Sequence, residues 1–118
     1  MPSSELRLQE VTPARLESLV ADHRCVRVGA TRNVVSRANS YQNETFDGRP
    51  FVGVMFYTRA RNAWMCENRL LSIASRCGTA RFNVHRSSNF AQAPGYVYAI
   101  HARVRVPPGR RQGGCTIS

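Results

Sequence analysis

Three runs of strand character are separated by stretches of helical periodicity, and that alternation limits the chain to an α/β arrangement. Cys25 to Ala30 alternates apolar and polar residues and should be a strand ending at Gly29. Phe51 to Thr58 (FVGVMFYT) is β-rich and apolar on both faces, the mark of a buried strand. Tyr96 to Val106 (YVYAIHARVRV) reads as a long third strand. Thr12 and Pro13 supply the N-cap and first-turn proline of a helix that runs through Leu16, Leu19 and Val20 to about Ala21. Thr31 or Asn33 can cap a second helix to about Gln42, with Val34, Ala38 and Tyr41 along one side. A third runs from Arg61 to about Arg76 through Ala63, Trp64, Leu70, Leu71 and Ala74, and Cys77-Gly78 stops it. The expected fold is α/β, a small central β-sheet flanked by three helices. At 118 residues the chain holds a single core. We place that core at 11–106, after an N-terminal segment 1–10 and before a flexible tail 107–118 rich in Pro, Gly and Arg.

Charge narrows the partners. The net charge is +10, and all seventeen basic residues are arginine. A GC-rich coding sequence explains arginine in place of lysine but not the excess of basic over acidic residues. The rigid guanidinium fork suits phosphate, so the expected partner is a nucleic acid, DNA ahead of RNA, or another polyanion. No run approaches the roughly 18 apolar residues of a membrane helix. The polar stretch from Met1 to Gln9 carries no signal-peptide pattern, which points to the nucleus or cytoplasm. Cys25, Cys66, Cys77 and Cys115 form no C-x-x-C pair and no zinc-type spacing with His23, His85 or His101, and are expected as free, mostly buried thiols.

The acids are as informative as the bases. Six of the seven lie in the first 47 residues; beyond Asp47 there are eleven arginines and one acid, Glu67. Its helical neighbours Ala63, Trp64, Leu70 and Leu71 are all apolar, which puts the carboxylate on or beside the inward face. A buried carboxylate must be paired or hold a cation. A salt bridge to one of the arginines is the plain alternative to a cation held against a phosphate. Arg37 and Tyr41 share one face of the second helix; as structural residues they would be a snorkelling arginine and a core aromatic.

Gly29, Thr31, Asn33, Arg37 and Tyr41 stand as G-x-T-x-N-x-x-x-R-x-x-x-Y directly after a strand. This resembles the second half of the GIY-YIG nuclease signature. Downstream, Cys66-Glu67-Asn68-Arg69-Leu70-Leu71 is similar to the family helix whose glutamate holds the metal ion, and Arg81-Phe82-Asn83-Val84 resembles its arginine–aromatic–asparagine segment. The likeness covers roughly residues 25 to 90. It departs in two places. The tripeptide here reads Arg27-Val28-Gly29, with Arg27 where the family has tyrosine, and a helix occupies the usual place of the first tripeptide. A comparable strand, Pro94-Gly95-Tyr96-Val97-Tyr98-Ala99-Ile100, stands at the C-terminal end of the chain. A circular permutation would set it beside Cys25 to Gly29, where Tyr96 or Tyr98 could supply a phenol.

The resemblance implies a GIY-YIG-like fold and a metal-dependent endonuclease. Glu67 would hold Mg²⁺ or Mn²⁺ against the scissile phosphate, and Arg37 would face its non-bridging oxygens. Tyr41, Tyr96 or Tyr98 would orient or deprotonate water, with the arginine field lowering the phenol's pKa. Asn83 would orient a ligand or the helix end. Arg27, Arg32, Arg59, Arg61, Arg81 and Arg86 are the expected nucleic-acid contacts. Arg27 in place of tyrosine keeps open a catalytically inactive, nucleic-acid-binding module of the same fold. The chain ends Cys115-Thr116-Ile117-Ser118, a loose C-a-a-X box with Arg110 and Arg111 upstream, which allows a third reading: an adaptor prenylated on Cys115 and attached to anionic membrane.

Overall fold

The computed structural model describes residues 5–80 and 93–103. Among the described residues six strands and three helices follow in the order β1 (Glu5–Glu10), α1 (Pro13–Ala21), β2 (Cys25–Thr31), α2 (Val34–Ser40), β3 (Thr45–Phe46), β4 (Arg49–Pro50), β5 (Val52–Ala60), α3 (Ala63–Cys77) and β6 (Gly95–Ala102). A 3-10 turn, Tyr41–Asn43, continues α2. The main sheet has the order β1-β5-β6-β2. β1 runs parallel to β5, and β6 runs antiparallel to both β5 and β2. The expected α/β class, with a small sheet and three helices, is the observed one.

Local chemistry accounts for the boundaries. Thr12 and Asn62 cap α1 and α3 by accepting from the Arg15 and Met65 amides, each at 3.2 Å. Asn33, not Thr31, caps α2, accepting from the Ser36 amide at 3.0 Å. Gly78 ends α3 in the left-handed conformation. Asp47 and Gly48, both at positive φ, close the β3–β4 hairpin. The last carbonyls of α1 find side-chain donors from elsewhere: Thr79 Oγ1 donates to Val20 O and His101 Nε2 to Leu19 O, each at 2.6 Å.

The sheet divides the core in two. On one face α1 and α3 bury Leu16, Val20, Leu70, Ile73 and Ala74 against Val28, Val97 and Ala99. On the other, Tyr41, Phe46 and Phe51 pack with Val26, Met55, Tyr98 and Ile100. Three expectations change. Residues 5–10 are not a segment apart from the core. Leu6 and Leu8 alternate with polar residues, and β1 pairs in register with β5 from Glu5↔Val52 to Glu10↔Tyr57. The inward face of α3 is Ala63, Leu70, Ile73, Ala74 and Cys77, while Trp64 is 42% exposed. Cys25 and Cys66 are free thiols, as expected, but Cys77 is disulfide-bonded. Burial pushes the Cys25 thiol up to about 12, which keeps it protonated and unreactive.

Two groups around the end of α1 set the acid sensitivity of the fold. Burial holds His101 below its usual value of 6.5. The unfolded chain therefore takes up a proton first, and the stability tied to neutral His101 is present above pH 6.5 and lost as pH falls below it. Asp22 is held down to about 2, chiefly by hydrogen bonds from the Arg24 side chain. Its contribution, about 1 kcal/mol after solvent screening, is present above the unfolded carboxylate value and lost as pH falls toward 2. Urea unfolding across pH 3–8 should show the first decline setting in below about pH 6.5. His101→Gln, which keeps a donor for Leu19, should remove that first decline and leave the second.

Candidate functional site

The pairing of β2 with β6 creates the site. Their register places Gly29 opposite Tyr98 and Thr31 opposite Tyr96, so the late tyrosine strand lies beside the strand that feeds α2. A side chain at Gly29 would strike the Tyr98 phenol, and that is the physical reason for glycine there. The freed space lets the Tyr98 ring lie across β2 and reach Tyr41, the two phenol oxygens standing 2.6 Å apart. Tyr41 packs on Phe51, with ring centroids 4.7 Å apart, and so anchors the end of α2 to the sheet.

The register shift between Cys25 and Arg27 turns Arg27 onto this same face. Its guanidinium lies over the Phe51 and Tyr41 rings, 4.8 and 5.4 Å from their centroids, and donates to Glu44 at 2.8 Å. Arg27 is only 7% exposed. It therefore belongs to the core around Tyr41, and the expected contact with a polyanion does not fit its position.

Arg37 on α2 and Glu67 on α3 belong to helices on opposite faces of the sheet, and Arg37 reaches Glu67 electrostatically. Both are half-buried. Burial raises the Glu67 pKa, and the Arg37 charge pulls it back part of the way. Among the described residues Glu67 makes neither a hydrogen bond nor an ion pair; the three ion pairs are Arg24–Asp22, Arg27–Glu44 and Arg69–Glu17. Among the described residues the salt bridge that would make Glu67 a purely structural residue is not formed. Arg37 also acts electrostatically on Tyr98, but burial and the neighbouring Tyr41 outweigh both arginines and hold that phenol well above 10. The expected lowering by the arginine field is reversed at Tyr98, because a desolvated phenolate costs more than the arginines return. Tyr41 is equally buried, at 2%. Tyr96, two residues from Tyr98 on the same face of β6, is half-buried and edge-on to Tyr57, and is the more accessible phenol.

The surroundings are basic. β2 and β5 both run antiparallel to β6, so their C-terminal ends lie at the same end of the sheet, where α2 and α3 begin. Arg32, Arg59 and Arg61 follow or close those strands and are exposed. Trp64 is exposed one turn before Glu67, a residue that apolar helical spacing had assigned to the core. Glu44, the partner of Arg27, left no periodic signal in the sequence. Arg81, Asn83, Arg86 and Cys115 lie outside the described residues.

Among the described residues no three His, Cys, Asp or Glu side chains group together as a metal cage. A single half-buried carboxylate with free oxygens still suits Mg²⁺, which keeps several waters and is commonly held by one or two carboxylates together with substrate phosphates. The residues fit a cation shared with a phosphate at Glu67. Comparison with protein-family models, curated proteins and solved structures gives no match for the chain.

Proposed function

We propose that the protein is a metal-dependent endonuclease of GIY-YIG type acting on nucleic acid phosphodiester bonds. The observation that carries this reading is Glu67 itself, half-buried, under the electrostatic pull of Arg37 and without an ion pair among the described residues. Arg32, Arg59 and Arg61 at the same end supply charge for the phosphate backbone. Mg²⁺ or Mn²⁺, when bound, supplies charge stabilisation at the phosphate and assists the leaving oxygen. Glu67 would hold the cation, and Arg37 would neutralise the non-bridging oxygens as charge accumulates on them. Tyr96 orients the attacking water through its phenol. Tyr98 and Tyr41, closed on each other, hold α2 and thereby position Arg37.

A second reading is favoured by one observation. Tyr98 is held protonated and Arg27 occupies the position of the family tyrosine, so a nucleic-acid-binding module without catalysis is consistent with the same geometry. The membrane adaptor reading needs a free thiol at Cys115, and with Cys77 disulfide-bonded and Cys25 and Cys66 free no observation among the described residues favours it. Incubation with labelled branched, single- and double-stranded DNA and RNA, with Mg²⁺ or Mn²⁺ and with EDTA, tests all three. Cutting that requires the cation is the expected result. Salt-sensitive binding without cutting would replace the nuclease with the binding module. Neither binding nor cutting would shift the weight to the prenylated adaptor.

A further inference from the structure

The end of the sheet away from Tyr96 carries a groove of about 620 Å³, a size typical of small-ligand sites. Three guanidinium groups from distant parts of the chain line it: Arg7 on β1, Arg24 in the connection between α1 and β2, and Arg103 just past β6. Phe56 and buried His101 give it a partly apolar floor, their rings edge to face with centroids 5.0 Å apart. Gly53, at φ +155°, keeps that floor bare, since a side chain there would strike the His101 carbonyl.

Among the described residues no carboxylate lines the groove. Asp22, at 2.9 Å, offsets the charge of Arg24. Arg7 and Arg103 are exposed and form no ion pair among the described residues. Gathering cations without a counter-charge is unfavourable, and an anion seated among them recovers that cost. Guanidinium forks match phosphate oxygens in geometry as well as charge. His101 Nε2 is committed to Leu19 O, so the ring contributes surface and leaves the anion to the arginines.

We infer that this groove is a second phosphate-binding site, distinct from the Arg37–Glu67 end and taking the phosphate ester group of a nucleotide or of a nucleic-acid strand. A strand rise of about 3.3 Å per residue separates Tyr96 from Arg103 by roughly 23 Å, so one phosphate cannot serve both ends. Titration of ¹⁵N-labelled protein with adenosine monophosphate, and separately with a short single-stranded oligonucleotide, should shift the amides of Gly53, Val54, Ala102 and Arg103. Arg7→Gln/Arg103→Gln should weaken that binding at least tenfold and reduce its log–log salt slope by about one to two. Both positions are exposed, and the rest of the spectrum reports whether the fold is kept. Saturation by the mononucleotide identifies a free nucleotide as the ligand; saturation by the oligonucleotide alone identifies a strand. No shifts at these amides with either probe, or shifts undiminished in the double variant, would overturn the site whatever the cleavage assay shows.

Discussion

Glu67→Gln is expected to lower the rate of phosphodiester cleavage roughly a thousandfold while leaving nucleic-acid binding as tight as before or tighter. The amide keeps the size of the carboxylate but gives up the charge that, in the proposed nuclease, would hold the cation. In a protein of net charge +10, removing one negative charge should not weaken attraction to a polyanion. Arg37→Ala should behave differently, losing cleavage by a comparable factor and some binding as well, since in the proposed nuclease Arg37 faces the phosphate itself. Single-turnover cleavage and fluorescence anisotropy on the same oligonucleotide separate the two effects. The raised pKa of Glu67 adds a pH signature. Only the ionised carboxylate holds a cation, so the acid limb of the rate profile should rise as pH climbs through that raised value, and Glu67→Gln should lack the limb.

Arg27→Ala is expected to cost about 3 kcal/mol of stability, enough to lower Tm by roughly 10 °C. The substitution removes the partner of Glu44, which lies 2.8 Å away, and the cation stacked on Phe51 and Tyr41. Glu44 is 28% exposed, so water partly compensates it, and the loss should sit at the lower end of that seen for broken buried pairs. Arg27→Met combined with Glu44→Leu replaces both charges with apolar bulk and should recover most of the loss. Urea unfolding of Arg27→Met, Glu44→Leu and the double variant gives the coupling energy directly. A cost at Arg27 no larger than that of an ordinary surface residue would show that the core around Tyr41 does not depend on it.

The sequence made the order of helices and the three main strands legible because their periodicities are long and their caps are chemically explicit, as at Thr12-Pro13 and Cys77-Gly78. β1 was hidden because ELRLQE has only two apolar residues, and its pairing with β5 is parallel and distant in the chain. The neighbourhood of β2 and β6 could be anticipated from the glycine at 29 and the tyrosines at 96 and 98. The consequence of that neighbourhood could not. Tyr98 fills the space left by Gly29 and closes on Tyr41, and this burial reverses the pKa shift that charge alone suggested. Arg27 shows the same limit: a charge pattern reads it as a surface cation, whereas a local bulge and a carboxylate at position 44 draw it inside. Trp64 errs in the other direction, an apolar residue at helical spacing left exposed beside Glu67.

In the proposed nuclease a cation held by Glu67 and a phosphate faced by Arg37 meet at one site. Paramagnetic broadening by Mn²⁺ tests it most directly, recorded on labelled protein with and without a phosphorothioate oligonucleotide that resists cleavage. The expected result is broadening of amides near Glu67 on α3 and near Arg37 on α2, strengthened by the oligonucleotide and lost in Glu67→Gln. Broadening centred elsewhere, or unchanged by Glu67→Gln, would contradict it.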